Sequence, residues 1–390
     1  MKRPRSGYLP GLDGWRALAI LGVILAHDHG IKLGRFGDAD FNKYGSYGVL
    51  LFFAISGILI CTRILEEEKL VGRFHLKSFY IRRVLRIQPA SSVYLAAIAV
   101  LMVAGVVHES WQYWRGALLF YANFLAHAGE RRDAAAFAGH FWTLSIEEHF
   151  YILLSLLLFF FRRHRIKIFA LLILSIRLWQ YMAHKLGYYS ADYSGRRTYW
   201  VILYLLTPAF LALLLNRRQV REIALKYLQP WVAYLVTLLL MLMDRIPQKL
   251  HDGRTLWSLK MFSDQQTYLF FGFSLWVIAS MLHPKSWTTQ FLEFPPLRYV
   301  GRLSYSLYLW HVLFFVPAIP EVGITTPWLL FLSGRPWKYI AAFGMAMFSY
   351  YLIEKPFVRL GHRLAPPATP GHKDLDTGRM AAEPVEAAAH

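Results

Sequence analysis

Apolar residues run along this chain in long blocks separated by short polar and basic stretches, not in the one-sided stripes of helices that pack in water. Ten blocks, at about 12–31, 47–62, 89–107, 141–161, 168–184, 199–215, 228–243, 267–283, 303–319 and 337–353, read as membrane-spanning helices. A bilayer core needs about 20 residues of helix, and several blocks are shorter, so their ends are placed only to within a few positions. A further aromatic stretch, Trp111 to Ala126, is expected to lie in the interface or re-enter, because counting it as a span would move the basic run 162–167 to the outside. The fold class expected is therefore all-α: a polytopic integral membrane protein with about ten transmembrane helices.

Charge adds orientation to this outline. With a cytoplasmic N-terminus, 26 Lys and Arg residues fall on inner segments and 14 on outer loops, with Arg16, Arg177 and Lys338 inside spans. The asymmetry predicts that both termini are cytoplasmic. It also places most of the net charge of +19 on the inner side, so topology explains the basicity without a nucleic-acid partner. The first block is too long for a signal-peptide core and lacks a small-residue cleavage site, and reads as a retained span. Residues 1–360 are expected to form one transmembrane domain; 361–390, rich in Pro and Ala and without apolar periodicity, are expected to be a disordered cytoplasmic tail. The single cysteine, Cys61, sits in an apolar block and reads as packing.

Polar residues inside apolar blocks carry the chemistry, because a titratable side chain in lipid costs a few kcal/mol and is kept where it faces protein. In WRALAILGVILAHDHG (15–30), Arg16 falls near the inner end of the first span and His27 near its outer end, about 16 Å apart along the helix axis. Glu147, Glu148 and His149 lie about two turns below the outer end of the fourth span, and His311 at a similar depth in the ninth. Structural polar contacts between helices would account for such residues; a buried acid/base pair, in which Glu147 orients His27 to take a proton from a hydroxyl, is the sharper reading. Glu147 and Tyr151 share a helix face while Glu148 points about 100° away, so one of the two glutamates is expected to face the site. The HDH run at 27–29 lacks the spacing of a helical metal pair, so no metal is expected, and Asp28 and His29 are expected to face outer water.

A second group lies in FYIRRVLRIQPA (79–90). Arg83 and Arg86 are three apart and share a helix face, whereas Arg82 lies to the side. Such a pair suits a phosphorylated ligand arriving from the cytoplasm, although topology and anionic lipid also recruit juxtamembrane arginines. Ser56 and Gly57 sit midway through the second span, where a close helix approach or a narrow ligand fits.

Together, LDGWRALAILGVILAH (12–27), FFAISGILI (52–60), IRRVLRIQP (81–89), FWTLSIEEHFY (141–151), GRLSYSLYLWH (301–311) and YYLIEKP (350–356) resemble membrane-bound acyltransferase family 3, which O-acylates bacterial surface carbohydrates and some antibiotics. The resemblance implies an acyl-CoA donor, usually acetyl-CoA, used as substrate with no tightly bound cofactor, and transfer to a hydroxyl of a carbohydrate, glycolipid or glycoside. It implies a place in the cell (inner) membrane. On this likeness His27 corresponds to the family's essential histidine, Arg16 to its partner, Arg83 and Arg86 to the cytoplasmic pair, Ser56 and Gly57 to the Ser-Gly element, and Glu147 to the glutamate after Trp142. Thr143 stands where Ser is common, and Ile58 where an aromatic is. The chain ends soon after the tenth block, without the extracytoplasmic hydrolase-like domain of some members, so a second hand-over of the acyl group is expected to need another protein.

The mechanism expected is docking of the nucleotide end of acyl-CoA on Arg83 and Arg86, with the pantetheine arm threading the bundle toward His27. Tyr305, Trp142 and the Ser56 hydroxyl are candidate donors to the oxyanion, and a covalent acyl-histidine relay is an alternative use of the same residues. The rival function is a proton-coupled transporter of a sugar or anionic substrate, since intramembrane Arg, His and Glu also build proton relays.

Overall fold

A computed structural model of the protein describes residues 9–28, 42–125, 136–186, 197–249, 267–316 and 324–366. Among these the secondary structure is helical throughout, without strands. The helices are α1 (Leu12–His27), α2 (Asn42–Val71), α3 (Leu76–Val103), the short α4 (Trp111–Leu118) and α5 (Ala122–Leu125), α6 (Phe141–Phe160) and α7 (Arg165–Lys185). They continue with the single turn α8 (Thr198–Val201), then α9 (Leu203–Leu215), α10 (Arg218–Tyr227), α11 (Pro230–Lys249), α12 (Thr267–Leu282) and α13 (Trp287–Leu292). Last come α14 (Pro295–Phe315), α15 (Pro327–Ser333), α16 (Trp337–Ser349), a π-helical turn at Tyr350–Glu354, and α17 (Lys355–Leu364).

Among the described residues each expected apolar block contains helix, as it must where lipid offers backbone groups no other partners. Four helices among the described residues are long and apolar enough to cross a membrane: Tyr47–Val71, Leu76–Val103, Phe141–Phe160 and Arg165–Ala183; α10 with the start of α11 passes the same test as a pair bent by 85°. The Trp111–Ala126 stretch folds as α4 and α5, of 8 and 4 residues, broken where Phe120 takes a φ of 56°. At 1.5 Å per residue neither crosses a bilayer core.

The helices outrun their apolar blocks on the basic side, because ion pairs sustain them there. Glu67 accepts from Arg82 at 2.7 Å, and Glu68 from Arg165 at 2.5 Å and from Arg162, tying the end of α2 to α3 and to the turn between α6 and α7. Arg82 also donates to the Ala365 carbonyl, at 3.3 Å. The segment expected to be tail thus starts as the last turn of α17; residues from 367 on lie outside the described residues.

α1 is the central helix, packed between α2 and α14, and glycine permits the approach on the α2 side. A Cβ on Gly48 would stand 2.5 Å from the Ala19 carbonyl. Gly57 makes the same allowance on the other side of α2: its Cβ would stand 2.5 Å from the Leu205 carbonyl of α9.

Glu109 stitches the segment before α6 to the end of α3. Its Oε2 accepts the backbone N–H groups of Phe137 and Ala138, the latter at 2.9 Å, while Tyr94 of α3 donates to the Phe137 carbonyl at 2.7 Å. Burial lifts the Glu109 carboxyl to about 8 from 4.5, against the pull of its backbone donors. Between those values only the folded state keeps the proton, so stability falls as pH rises through the window, by up to about 5 kcal/mol. Glu109→Gln keeps a carbonyl acceptor and removes the charge. Its thermal unfolding should decline less between pH 5 and 9 than that of the wild type; parallel curves would show that Glu109 does not carry the effect.

Candidate active site

α1 ends at His27, whose Nδ1 lies 2.8 Å from the Val23 carbonyl. A carbonyl only accepts, so Nδ1 carries the proton, and in the neutral ring Nε2 bears the lone pair a general base needs. His311 of α14 meets this ring edge-on, with centroids 5.0 Å apart. The two histidines that matched in depth thus do come together. A third, His140 at the start of α6, lies with its ring 5.9 Å from that of His311.

Below these rings is a cavity of about 850 Å³, its open mouth included. Its inner half is cationic: Arg16 of α1 and Arg83 and Arg86 of α3 all line it. Among the described residues none of the three is held in an ion pair, unlike their neighbour Arg82. The Arg83 guanidinium lies over the Tyr151 ring, 4.7 Å from its centroid, which fixes the cation without neutralising it. At the far end the cavity reaches Tyr308, whose ring stands 5.4 Å from that of His140 and 5.7 Å from that of His311. The Tyr308 hydroxyl bonds Thr143 Oγ1 at 2.6 Å and the His140 carbonyl at 2.9 Å. Tyr308 therefore adjoins both the cavity and two of the three imidazoles.

The expected pairing of Glu147 with His27 is corrected. Glu147 Oε1 accepts from Ser56 at 3.0 Å and Oε2 from Tyr151 at 2.8 Å, so both oxygens are engaged in the cavity wall beside the arginines, a wall to which His27 does not belong. Glu148 lines the same cavity, so both glutamates face it: the cavity is wide enough for adjacent residues of α6 to reach its rim. Ser56 is at the site, but Gly57 is a packing residue against α9 and no part of the cavity lining.

The candidate oxyanion donors are also constrained. Ser56 gives its proton to Glu147, and Tyr305, although it lines the cavity, donates to the Ile87 carbonyl at 2.7 Å. Trp142 packs edge-on against Phe53 with centroids 6.4 Å apart, and His149 bonds Thr198 at 2.7 Å. Asp28, expected in water, has a side chain that is 0% exposed: Arg335, Lys338 and Tyr339 all donate to its carboxylate. His29 lies outside the described residues. Among the described residues no group of three or more His, Cys, Asp or Glu is arranged to hold a metal.

Sequence reasoning missed two residues. His140 drew no notice as a lone histidine before an apolar block. Glu354 was quoted only within YYLIEKP; the π-helical turn carries it inward, where Ser306 donates to it at 2.9 Å and its charge faces Arg86 and Arg16. An acid between apolar residues and Lys-Pro was its available signal, and π-turns often mark functional positions.

A profile of the acyltransferase domain family matches residues 9–355. A Staphylococcus aureus (strain COL) protein named "Putative O-acetyltransferase" is 31% identical over 390 residues, covering 92% of this chain and 59% of its own length. A second S. aureus protein (strain NCTC 8325 / PS 47), "O-acetyltransferase OatA", is 27% identical over 386 residues, covering 93% of this chain and 59% of its own length. The chain thus spans about three-fifths of the length of these curated relatives. No solved structure matches it.

Proposed function

The chain belongs to the acyltransferase domain family, and on that premise we propose that it is an integral membrane O-acetyltransferase, moving the acetyl group of cytoplasmic acetyl-CoA to a hydroxyl of a carbohydrate or glycoside. In this reading it crosses the cell (inner) membrane about ten times with both termini in the cytoplasm. The observation that supports the chemistry is the cavity, lined at one end by three arginines that, among the described residues, are in no ion pair, and at the other by Tyr308, whose ring adjoins that of His311, the neighbour of His27. An elongated ligand with phosphates at one end and a reactive carbonyl at the other fits that polarity. Arginine's fork of donors grips phosphate with charge-assisted hydrogen bonds.

The acceptor hydroxyl loses its proton to His27 Nε2 as its oxygen attacks the thioester carbon. The C–S bond then breaks, and the leaving thiolate takes the proton back from the imidazolium, giving an ester and free CoA. Glu147 and Glu148, in place of a partnership with the base, hold the arginine side of the cavity near charge balance and keep the guanidinium groups spaced for phosphate.

The test uses labelled acetyl-CoA and a polyhydroxyl acceptor with the protein in proteoliposomes. Label should appear as an acceptor ester. The double variant Arg83→Ala/Arg86→Ala should raise the donor KM by roughly 10–100-fold with a smaller effect on kcat, as lost charge-assisted contacts imply. Proton-driven sugar uptake without any labelled ester would assign the cavity to a transporter instead.

A further inference from the structure

The three imidazoles at the outer end of the bundle come from three separate elements, and two of them have unusual surroundings. His311 Nδ1 lies 2.8 Å from the Tyr308 carbonyl and 3.1 Å from that of Leu307, so it carries the proton and Nε2 bears a lone pair. That Nε2 is buried without a hydrogen-bond partner, and so are both ring nitrogens of His140. Buried polar atoms in folded proteins are nearly always paired, and each one left unpaired costs stability. Three of them around two neighbouring rings are a site built for a ligand that supplies hydrogen bonds. Hydroxyl groups match: they donate to imidazole lone pairs and accept from the one remaining N–H of His140. Both rings adjoin Tyr308, and His311 also adjoins His27, so a hydroxyl held here lies beside the one that His27 would deprotonate.

We propose that His140 and His311 form the acceptor subsite, binding a second hydroxyl next to the reacting one, so that the acceptor class is a polyol with adjacent hydroxyls and not a simple alcohol. This rests on the acetyltransferase reading above and makes His140 a specificity residue of the same site. The stability cost of its orphan nitrogens is then the counterpart of its binding role.

His140→Phe separates this from a structural role, because it keeps a ring of similar size and removes both unpaired nitrogens. The full-length protein in proteoliposomes is given labelled acetyl-CoA with either cis-1,2-cyclohexanediol or cyclohexanol. In the wild type kcat/KM for the diol should exceed that for the monoalcohol by about ten-fold or more, the worth of one well-placed hydrogen bond. In His140→Phe the ratio should fall toward one through a higher diol KM, with the donor KM unchanged and the unfolding temperature equal or higher. His311→Gln, which keeps hydrogen-bonding groups in a different position, should show an intermediate ratio. An unchanged diol preference in His140→Phe would overturn the proposal, as it would if the nitrogens serve only ordered water. A lower unfolding temperature with parallel loss on both alcohols would assign His140 a structural role and overturn it equally. If no acceptor is acetylated at all, the acetyltransferase reading fails, and the subsite is judged by binding alone: the diol should raise the wild-type unfolding temperature more than cyclohexanol does, and should not do so in His140→Phe.

Discussion

Replacing His27 by alanine should lower acetyl transfer by roughly 10²–10⁴-fold, the usual contribution of a positioned general base, while leaving the amount of folded protein almost unchanged. The imidazole is set for this role by its own helix: Nδ1 is committed to the Val23 carbonyl, so Nε2 is the only basic position. The structural loss is small by comparison, an edge-on ring contact with His311 worth about 0.5–1.5 kcal/mol. Measured kcat for labelled transfer, at matched protein level, decides the matter. Retention within about ten-fold would move the base elsewhere in the cluster.

Asp28→Ala should be the most destabilising single change at the outer end of the bundle, at about 3–5 kcal/mol. The wild-type side chain is 0% exposed, Lys338 is 7% exposed and Arg335 44%, so removal of the carboxylate strands a buried ammonium group. Because Asp28 follows His27 directly and is clamped to the start of α16, the variant should also transfer acetyl groups more slowly. Unfolding temperatures of Asp28→Ala and of Asp28→Ala/Lys338→Met provide the check: the second change should restore part of the loss by removing the stranded cation. Additive losses would mean that the two residues do not act as a pair.

How much of this was legible beforehand depended on the kind of question. The apolar blocks located the helices; His27 and His311 were placed at similar depth, but the predicted partner of His27 was Glu147, and the ring contact with His311 came only from the structure. The spacing of Arg83 and Arg86 placed both on one face, and both line the cavity while Arg82 turns aside to Glu67. The helical periodicity that set Glu147 apart from Glu148 did not decide which would face the cavity, because the width of the cavity was unknown. Asp28 looked like a loop residue since its partners lie 307 to 311 positions away, and His140 looked ordinary since its neighbours belong to α3 and α14.

By itself the sequence determined which segments are helical and which polar side chains those segments carry. Hydropathy and the 1.5 Å helical rise report position along one axis, the membrane normal. Only the tertiary structure decided lateral neighbours: Glu147 with Ser56 and Tyr151 instead of His27, Gly57 against α9, and Asp28 within a cationic clamp. Those pairings follow from how each helix is rotated about its axis and which helices stand beside it. That is settled by close packing of side chains from distant parts of the chain, as where Gly48 lets α2 approach α1.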